Sequence, residues 1–436
     1  MPHRKLLLHT ALLGCLLAGL PRAHAQAPVD LREFLDAVAE KNLDLQAQRE
    51  TLVAARAGVT LAGVRPDPQF NGGIASKELN GANKPSAATA LTAGVSWTLE
   101  TGGKREARLR AAAGTVKLAE ATIAAFKRQL DVDASAAFID ACRAQAVLDR
   151  KASSLAAMRE IVRVNEVRLQ AGDIGRLELS QSRIEADRFQ AEVVQARADA
   201  LAADLNLSTY LGERREQRFA HRALACDWPA APAPDSADSL VARALDTRDD
   251  VQQARAVVDS ARDAVELARA NRAVDPTVNV GLTHTPRINP VLDGGGSVTN
   301  SPAQRSLALN VTVSVPIPLS RMQRGELVQA ESALTQAQLQ LGAVLLKAET
   351  DVRVAHAQYG ASADNLLTYT GHVLDDARRV LDGTRTSYRK GAASLLELLS
   401  AQKTADEVQL AYLQAVADRA NAQVRLQQSV GQPPKL

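Results

Sequence analysis

The chain has 436 residues, 46% hydrophobic but only 3% aromatic, with 52 basic residues against 49 acidic ones and three cysteines. The near-balance of charge excludes a nucleic-acid binder, which carries a basic footprint, and the cysteine count excludes a disulfide scaffold or a multi-cysteine zinc fold. The length allows two or three ordinary domains, but so few rings beside so much Ala, Leu, Val and Gln point to long thin helices packed side by side.

Residues 1–25 read as a secretory signal. Arg4 and Lys5 precede an apolar run from Leu6 to Leu20, and Ala23-His24-Ala25 gives a small-x-small cleavage pattern. The mature start is expected at Gln26. Two other readings are a membrane anchor, for which the run falls short of the about 20 residues needed, and lipoprotein processing at Cys15, where Leu13 is bulky for the site. Losing Arg4, Lys5 and Arg22 leaves 49 basic against 49 acidic residues and two cysteines. No later segment is apolar enough for a transmembrane helix.

The rest of the chain states one pattern twice. A helix of about Leu31 to Gly63 is stopped by Asp67-Pro68. Two strand runs follow, near Gln69 to Ser76 and from Leu91 to Leu99, around a polar loop with Asn80-Gly81. A very long helix then runs from about Gly102 to Leu169, turns at Gly172, and a shorter helix returns to Gly212. Trp228 to Pro234 is a proline-rich linker. The second set is a helix from Ser236 to Arg272, Asp275-Pro276, strands at Thr277–His284 and Leu307–Val315 around Asp293 to Gly296, a helix from about Arg321 to Tyr388, the Gly391 turn, and a helix to Gly431. The expected division is 26–212 for one repeat, 213–235 for the connecting segment, 236–431 for the second repeat and 432–436 for a tail.

The repeats align at fixed offset. Gly172, Leu177-Glu178-Leu179 and Ala186-Asp187 match Gly391, Leu396-Glu397-Leu398 and Ala405-Asp406. Leu148, Leu155, Val162 and Leu169 step by seven, as do Leu367, Leu374, Leu381 and Tyr388. A sustained seven-residue step is a coiled-coil seam. At about 1.5 Å per residue each long helix reaches roughly 100 Å, and the two shorter helices of each half would stack end to end beside it.

The strands alternate. Leu91, Ala93, Val95, Trp97 and Leu99 interleave with Thr92, Gly94, Ser96 and Thr98; Leu307, Leu309, Val311, Val313 and Val315 interleave with Ala308, Asn310, Thr312 and Ser314. This is the period of a membrane barrel strand or of a soluble hairpin with one wet face. Export puts the outer membrane within reach. Four strands cannot close a barrel, whose smallest membrane form has about eight, and open edges cannot face lipid. Several copies must pool strands; three would give twelve.

These repeats, strand pairs and glycine turns resemble the TolC-like outer-membrane efflux family over nearly the whole mature chain. Val315-Pro316-Ile317-Pro318-Leu319 is similar to its strand-to-helix signature, and Ser320 to Glu326 with Ala330-Glu331 looks most like its heavy-metal-cation branch. The resemblance implies a fold that is mainly α with membrane β: a long coiled-coil helical barrel plus four strands per chain contributing to a trimeric twelve-stranded outer-membrane barrel. It implies a homotrimer touching outer-membrane lipid, a periplasmic adaptor protein and an inner-membrane proton-driven pump of the RND type, with no enzyme activity, no cofactor and no nucleic acid. It implies a pore constriction at Glu397, Glu178 and Tyr388, an adaptor-contact tip at Gly172, Gly391, Ala171 and Lys390, and a membrane girdle at Trp97.

Each residue also has a plainer reading: helix-hairpin turns, solvated helix-face glutamates, a packed tyrosine and a surface tryptophan. Two positions depart from the family's gate. Its arginine falls on Ala393 and its second acid on Ser400, so Arg176, Arg389 or Lys390 would have to substitute. His221, His284, His356 and His372 are scattered, and Cys142 and Cys226 have no metal spacing. An exported chain allows those cysteines a disulfide without requiring one. Gly102-Gly103-Lys104-Arg105 lacks the rest of a phosphate loop. Competing readings are the same duct for drugs or secreted proteins, and a soluble periplasmic coiled-coil scaffold.

Overall fold

The computed structural model describes residues 27–75, 90–228, 233–285, 305–317 and 324–436. The expected signal segment with Cys15 and Gln26, Ser76, the turns at Asn80-Gly81 and Asp293 to Gly296, Pro229 to Pro232, and Pro318 to Gln323 lie outside them.

The element order is α1 (Leu31–Lys41), α2 (Leu43–Ala62), β1 (Gln69–Ala75), β2 (Ala90–Thr98), α3 (Lys104–Ala171), α4 (Arg176–Leu211), α5 (Arg215–Phe219), α6 (Ala237–Thr247), α7 (Asp249–Ala270), β3 (Thr277–Thr285), β4 (Ser306–Ser314), α8 (Arg324–Thr368), a π-turn (Tyr369–Val373), α9 (Leu374–Arg389) and α10 (Leu395–Ser429).

Two expected helices are each broken in two. Between α1 and α2, Asn42 caps α2 by accepting from Leu45 N–H at 2.8 Å, and its Nδ2 donates to Tyr210 O at 2.9 Å. Between α6 and α7, the Arg248 guanidinium donates to Ser429 O at 3.2 Å and pairs with Asp250 and Asp351. In both halves a side chain at the break satisfies a carbonyl at the end of the helix returning from the hairpin turn. The stacked columns are therefore α4 on α2 and α10 on α7, while α1 and α6 leave the column. Gly212 at φ +69° and Gly431 at φ +79° make the close approach: a Cβ would lie 2.4 Å from Lys41 O and 2.9 Å from Thr247 O respectively.

The columns lie side by side. α2 and α4 pack along α3, α3 along α7 and α10, and these along α8 and α9. Among the described residues no helix covers the far side of α2–α4 or of α8. The wall is one helix thick, so its core is strung out in separate clusters. One at mid-height gathers Phe34, Val38, Phe138, Leu207, Leu211 and Phe219; another near the hairpin turns gathers Leu155, Met158, Phe189, Leu381, Tyr388 and Leu398.

Cys142 of α3 and Cys226 are disulfide-bonded, which the sequence left open. The bond pins the connecting segment to the wall at mid-height, where Val29 also bridges to Leu224 and Arg222 pairs with Glu33. Closing a loop with a sequence separation of 84 residues stabilises by roughly 4–5 kcal/mol on the chain-entropy account.

The strands form one antiparallel sheet in the order β1-β2-β3-β4, so the two expected hairpins also pair with each other through β2 and β3. The register sorts the faces. Phe70, Val95, Val280 and Val311 share a row, as do Gly72, Ala93, Leu282 and Leu309; Trp97, Val278 and Val313 lie on the same face. This face is bare: Leu309 is 67% exposed and Val311 61%. The opposite face carries Gln69, Ser96, Asn279 and Thr312 in one row and Asn71, Gly94, Gly281 and Asn310 in the next. Its side chains bond to each other, Asn71 Nδ2 to Ser96 Oγ at 3.0 Å and Asn310 Nδ2 to Thr283 Oγ1 at 2.6 Å. β1 and β4 keep open edges, each in line with an open edge of the helical wall.

The expected helix to Tyr388 is also interrupted. The π-turn separates α8 from α9, while α3 in the first half runs unbroken for 68 residues.

Candidate functional site

The two hairpin turns use the same chemistry. α3 ends at Ala171; Gly172 takes φ +83°, and Asp173 N–H reaches back to Arg168 O at 2.8 Å. α9 ends at Arg389; Gly391 takes φ +73°, and Ala392 N–H reaches back to Ser387 O at 2.8 Å. Both are left-handed glycine caps that satisfy the last carbonyls of the helix. Nothing lies within 4 Å of a Cβ built at either glycine, and Ala171 and Lys390 are exposed, so both turns end in open space. Arg176, Arg389 and Lys390 have no charged partner within the described residues of the chain, which leaves a basic rim around the turns.

Beyond the turns the halves diverge. Ser394 opens α10 with a capping box: its side chain accepts from Glu397 N–H at 3.3 Å, and Glu397 Oε2 accepts from Ser394 N–H at 2.6 Å. The backbone hydrogen bond from Ser394, with its hydroxyl second, holds the Glu397 carboxyl below the usual glutamate value. Glu397 is exposed and ionised. Its counterpart Glu178 opens α4 after Gly175, which provides no side-chain cap, and is half-buried.

Glu178 is turned toward the other repeat. The Tyr388 hydroxyl lies 2.9 Å from Glu178 Oε1 and 2.6 Å from the Asn165 side-chain oxygen. One hydroxyl hydrogen cannot serve two acceptors, and Asn165 Nδ2 is buried without a partner. Turning the amide removes the conflict at the hydroxyl: Asn165 Nδ2 donates to Tyr388, and Tyr388 donates to Glu178. Arg168 stacks on the tyrosine face, 4.9 Å from the ring centroid. Burial, then the bond to Glu178, pushes the Tyr388 phenol up. Tyr388 is 3% exposed among Leu155, Met158 and Leu398, so it packs in the core and bridges the repeats at once.

Sequence reasoning missed Asn165 and Arg168, and also a second bridge higher on the wall. Asp406 of α10 pairs with Arg150 of α3, accepts from Ser154 Oγ at 2.5 Å, and accepts from Gln402 Nε2 at 3.1 Å. Arg385 of α9 donates to Gln402 Oε1 at 3.3 Å. Asp187, the repeat counterpart of Asp406, is exposed. The available signal was polar residues at four-residue spacing on facing seams, Arg150 with Ser154 and Gln402 with Asp406. Ala393 is half-buried against the core cluster near the turns and Ser400 is exposed, so neither supplies a gate charge.

Trp97 sits near the end of β2 nearest α3, on the apolar face opposite Val278, and is 41% exposed. Among the described residues there is no group of three or more His, Cys, Asp or Glu side chains that could hold a metal ion, and no helix long and apolar enough to cross a membrane.

The family model described as outer membrane efflux protein matches residues 34–213 and again 240–432. The chain is 24% identical over 407 residues to the cobalt-zinc-cadmium resistance protein CzcC of Cupriavidus metallidurans, covering 93% of this chain and 91% of that one. Its fold is similar to the outer-membrane channel OprN, with TM-score 0.74 at 21% identity over 92% of this chain and 89% of that one. It is similar also to CusC, with TM-score 0.73 at 18% identity over 93% of each chain. With both halves of its duplicated wall and sheet matched, the chain belongs to the outer membrane efflux protein family and is an outer-membrane channel protein, not an enzyme.

Proposed function

We propose that three copies of this chain form the exit duct of a tripartite efflux system that carries heavy-metal cations out of the cell. The observation that carries the trimer is the coincidence of open edges. β1 and the α2–α4 column end one side of the chain; β4 and α8 end the other. An unpaired strand edge cannot face lipid, where each unsatisfied backbone group costs several kcal/mol. Joining β4 of one copy to β1 of the next satisfies the edges, and three copies give twelve strands and a helical wall of twelve columns. The bare apolar face then meets lipid, with Trp97 in the girdle at one interface, and the hydrogen-bonded polar face lines the water path. Each repeat, 26–212 and 236–431, supplies half of a copy's columns.

The duct does no chemistry, so its energy comes from a proton-driven inner-membrane pump of the RND type, reached through a periplasmic adaptor. The turns at Gly172 and Gly391, with Ala171 and Lys390, are the adaptor-contact tip. Their free cations suit acidic groups on the adaptor or on the neighbouring copy. Tyr388 and Glu178 hold the two hairpins together near the constriction, and three Glu397 carboxylates form a ring that favours cations. Metal cargo is supported by the similarity to a cobalt-zinc-cadmium resistance protein and by the acid ring, with ions passing through rather than bound.

The test is single-channel conductance of the purified protein. Glutamine can fill the same capping position, so Glu397→Gln removes charge while keeping the turn. The expected outcome is a trimer whose cation preference falls on substitution. Unchanged preference would remove the acid ring, and a monomer that washes off membranes would remove the duct.

A further inference from the structure

We propose that the π-turn at Tyr369–Val373 is the hinge on which the second-repeat hairpin bends, and that the Arg150–Asp406 pair beside it is the clasp that holds the resting position. The proposal rests on the duct reading above. The two long helices share a heptad register, so Arg150 and Ser154, following Leu148, correspond to Tyr369 and Val373, following Leu367. In the first repeat those positions lie in the middle of unbroken α3. In the second they bound a π-turn, whose wider hydrogen-bond ring interrupts the helical ladder. Sharp kinks in helices concentrate at such turns.

The clasp sits at the same level. On α10, Asp406 holds Arg150 and Ser154 of α3, and Gln402 one turn away donates to Asp406. Thr404, Glu407, Val408 and Ala411 instead line two cavities of about 310 and 380 Å³ against the π-turn, both reaching Val373. So α10 is fixed on one side and has unfilled space on the other. The bridge continues through Gln402 to Arg385, and therefore ties α9 as well as α10 to the first repeat. Neither feature has a counterpart in the first repeat, since α3 is continuous and Asp187 is exposed. The two asymmetries of the duplicated wall fall at one height. Below it hang the 16 residues of α9, a lever of about 24 Å, and a 20° kink at its root would carry the Gly391 turn through roughly 8 Å.

The experiment uses the full oxidised chain, in which Cys142 and Cys226 are bonded, with a spin label at Arg378→Cys below the hinge or at Thr350→Cys above it. Subunit-to-subunit distances are measured in the native background and with Asp406→Asn. Arg150→Gln provides the same break from the α3 side. The proposal expects the distance at 378, about 7.5 Å below the hinge, to shift by roughly 3 Å and the distance at 350 to stay. Equal shifts at both heights, or no shift at 378, overturn the hinge. If neither variant assembles while the native chain does, the pair is a requirement of the wall and not a clasp. If the native chain shows no subunit-to-subunit distance at all, the duct reading falls, and the hinge with it.

Discussion

At the residue scale, the two repeat-related glutamates have exchanged equivalence for complementary work. Glu397 is exposed and charged, fixed by its own cap; Glu178 is half-buried and bonded to the other repeat. Because the Glu397 carboxyl is held below its ordinary value of 4.5, the contribution of the charged cap is complete above that pH and is lost as pH falls through the lower folded value. The ring charge should persist to about pH 4.5, which the pH dependence of ion selectivity reads directly. Tyr388→Phe is a sharper cut. It keeps the ring among Leu155, Met158 and Leu398 but leaves Asn165 and Glu178 without the hydroxyl. A buried polar group left unpaired costs about 1–3 kcal/mol, so the melting temperature should fall and resting leak should rise together. An unchanged leak with a lowered melting temperature would make Tyr388 a packing residue alone. Tyr388 was legible in the sequence through its heptad position. Its partners were not, because Asn165 and Arg168 lie more than 200 residues away and only the folded repeats bring them together.

At the scale of elements, sequence patterns carry what is periodic and hide what is single. The alternating strands, the glycine turns and the duplication were all readable, because each repeats a spacing many times. The breaks at Asn42 and Arg248 were not, because the helical pattern continues across them. Asn42 followed three residues later by Leu45 is a capping geometry visible only once the break is known. The π-turn adds a local irregularity to a heptad series that otherwise keeps step, and the disulfide depends on a contact between α3 and the connecting segment that no spacing encodes. The glycines separate by the same logic. Gly172 and Gly212 both need positive φ, where an L-residue costs about 1–2 kcal/mol. Around Gly172 there is open space, but a Cβ on Gly212 would meet Lys41 O at 2.4 Å. Gly212→Ala should therefore lower thermal stability more than Gly172→Ala, by undoing the stack of α4 on α2. Equal effects would mean that the stacked ends move apart freely. The stack then could not transmit force along the wall.

At the scale of the whole molecule, the low aromatic content and the open edges have one origin. A wall one helix thick around water has little interior for rings to fill, and a chain that supplies a third of a closed surface must leave its two sides unfinished. The sheet makes the closure testable, because β4 is open on both faces within a single chain, and those faces differ in chemistry. All nine residues of β4 are exposed. In the trimer Val311 faces lipid near the middle of the strand and Thr312, its neighbour, faces the water path. A lysine at the bilayer midplane of a barrel costs about 2–4 kcal/mol per copy, so Val311→Lys should lower the heat resistance of the trimer sharply. Thr312→Lys should leave assembly intact and place three positive charges in a lumen whose strand residues carry none. Its trimer should then pass anions more readily than the native channel. The measurement is trimer survival on heating together with reversal potential under a salt gradient. If the two lysines act alike on assembly, neither face of the sheet is lipid-facing and the strands are soluble hairpins. If the effects are reversed, the sheet is inside out, and Asn71 and Asn310 would lie in hydrocarbon with little beyond their bonds to Ser96 and Thr283 to offset their burial.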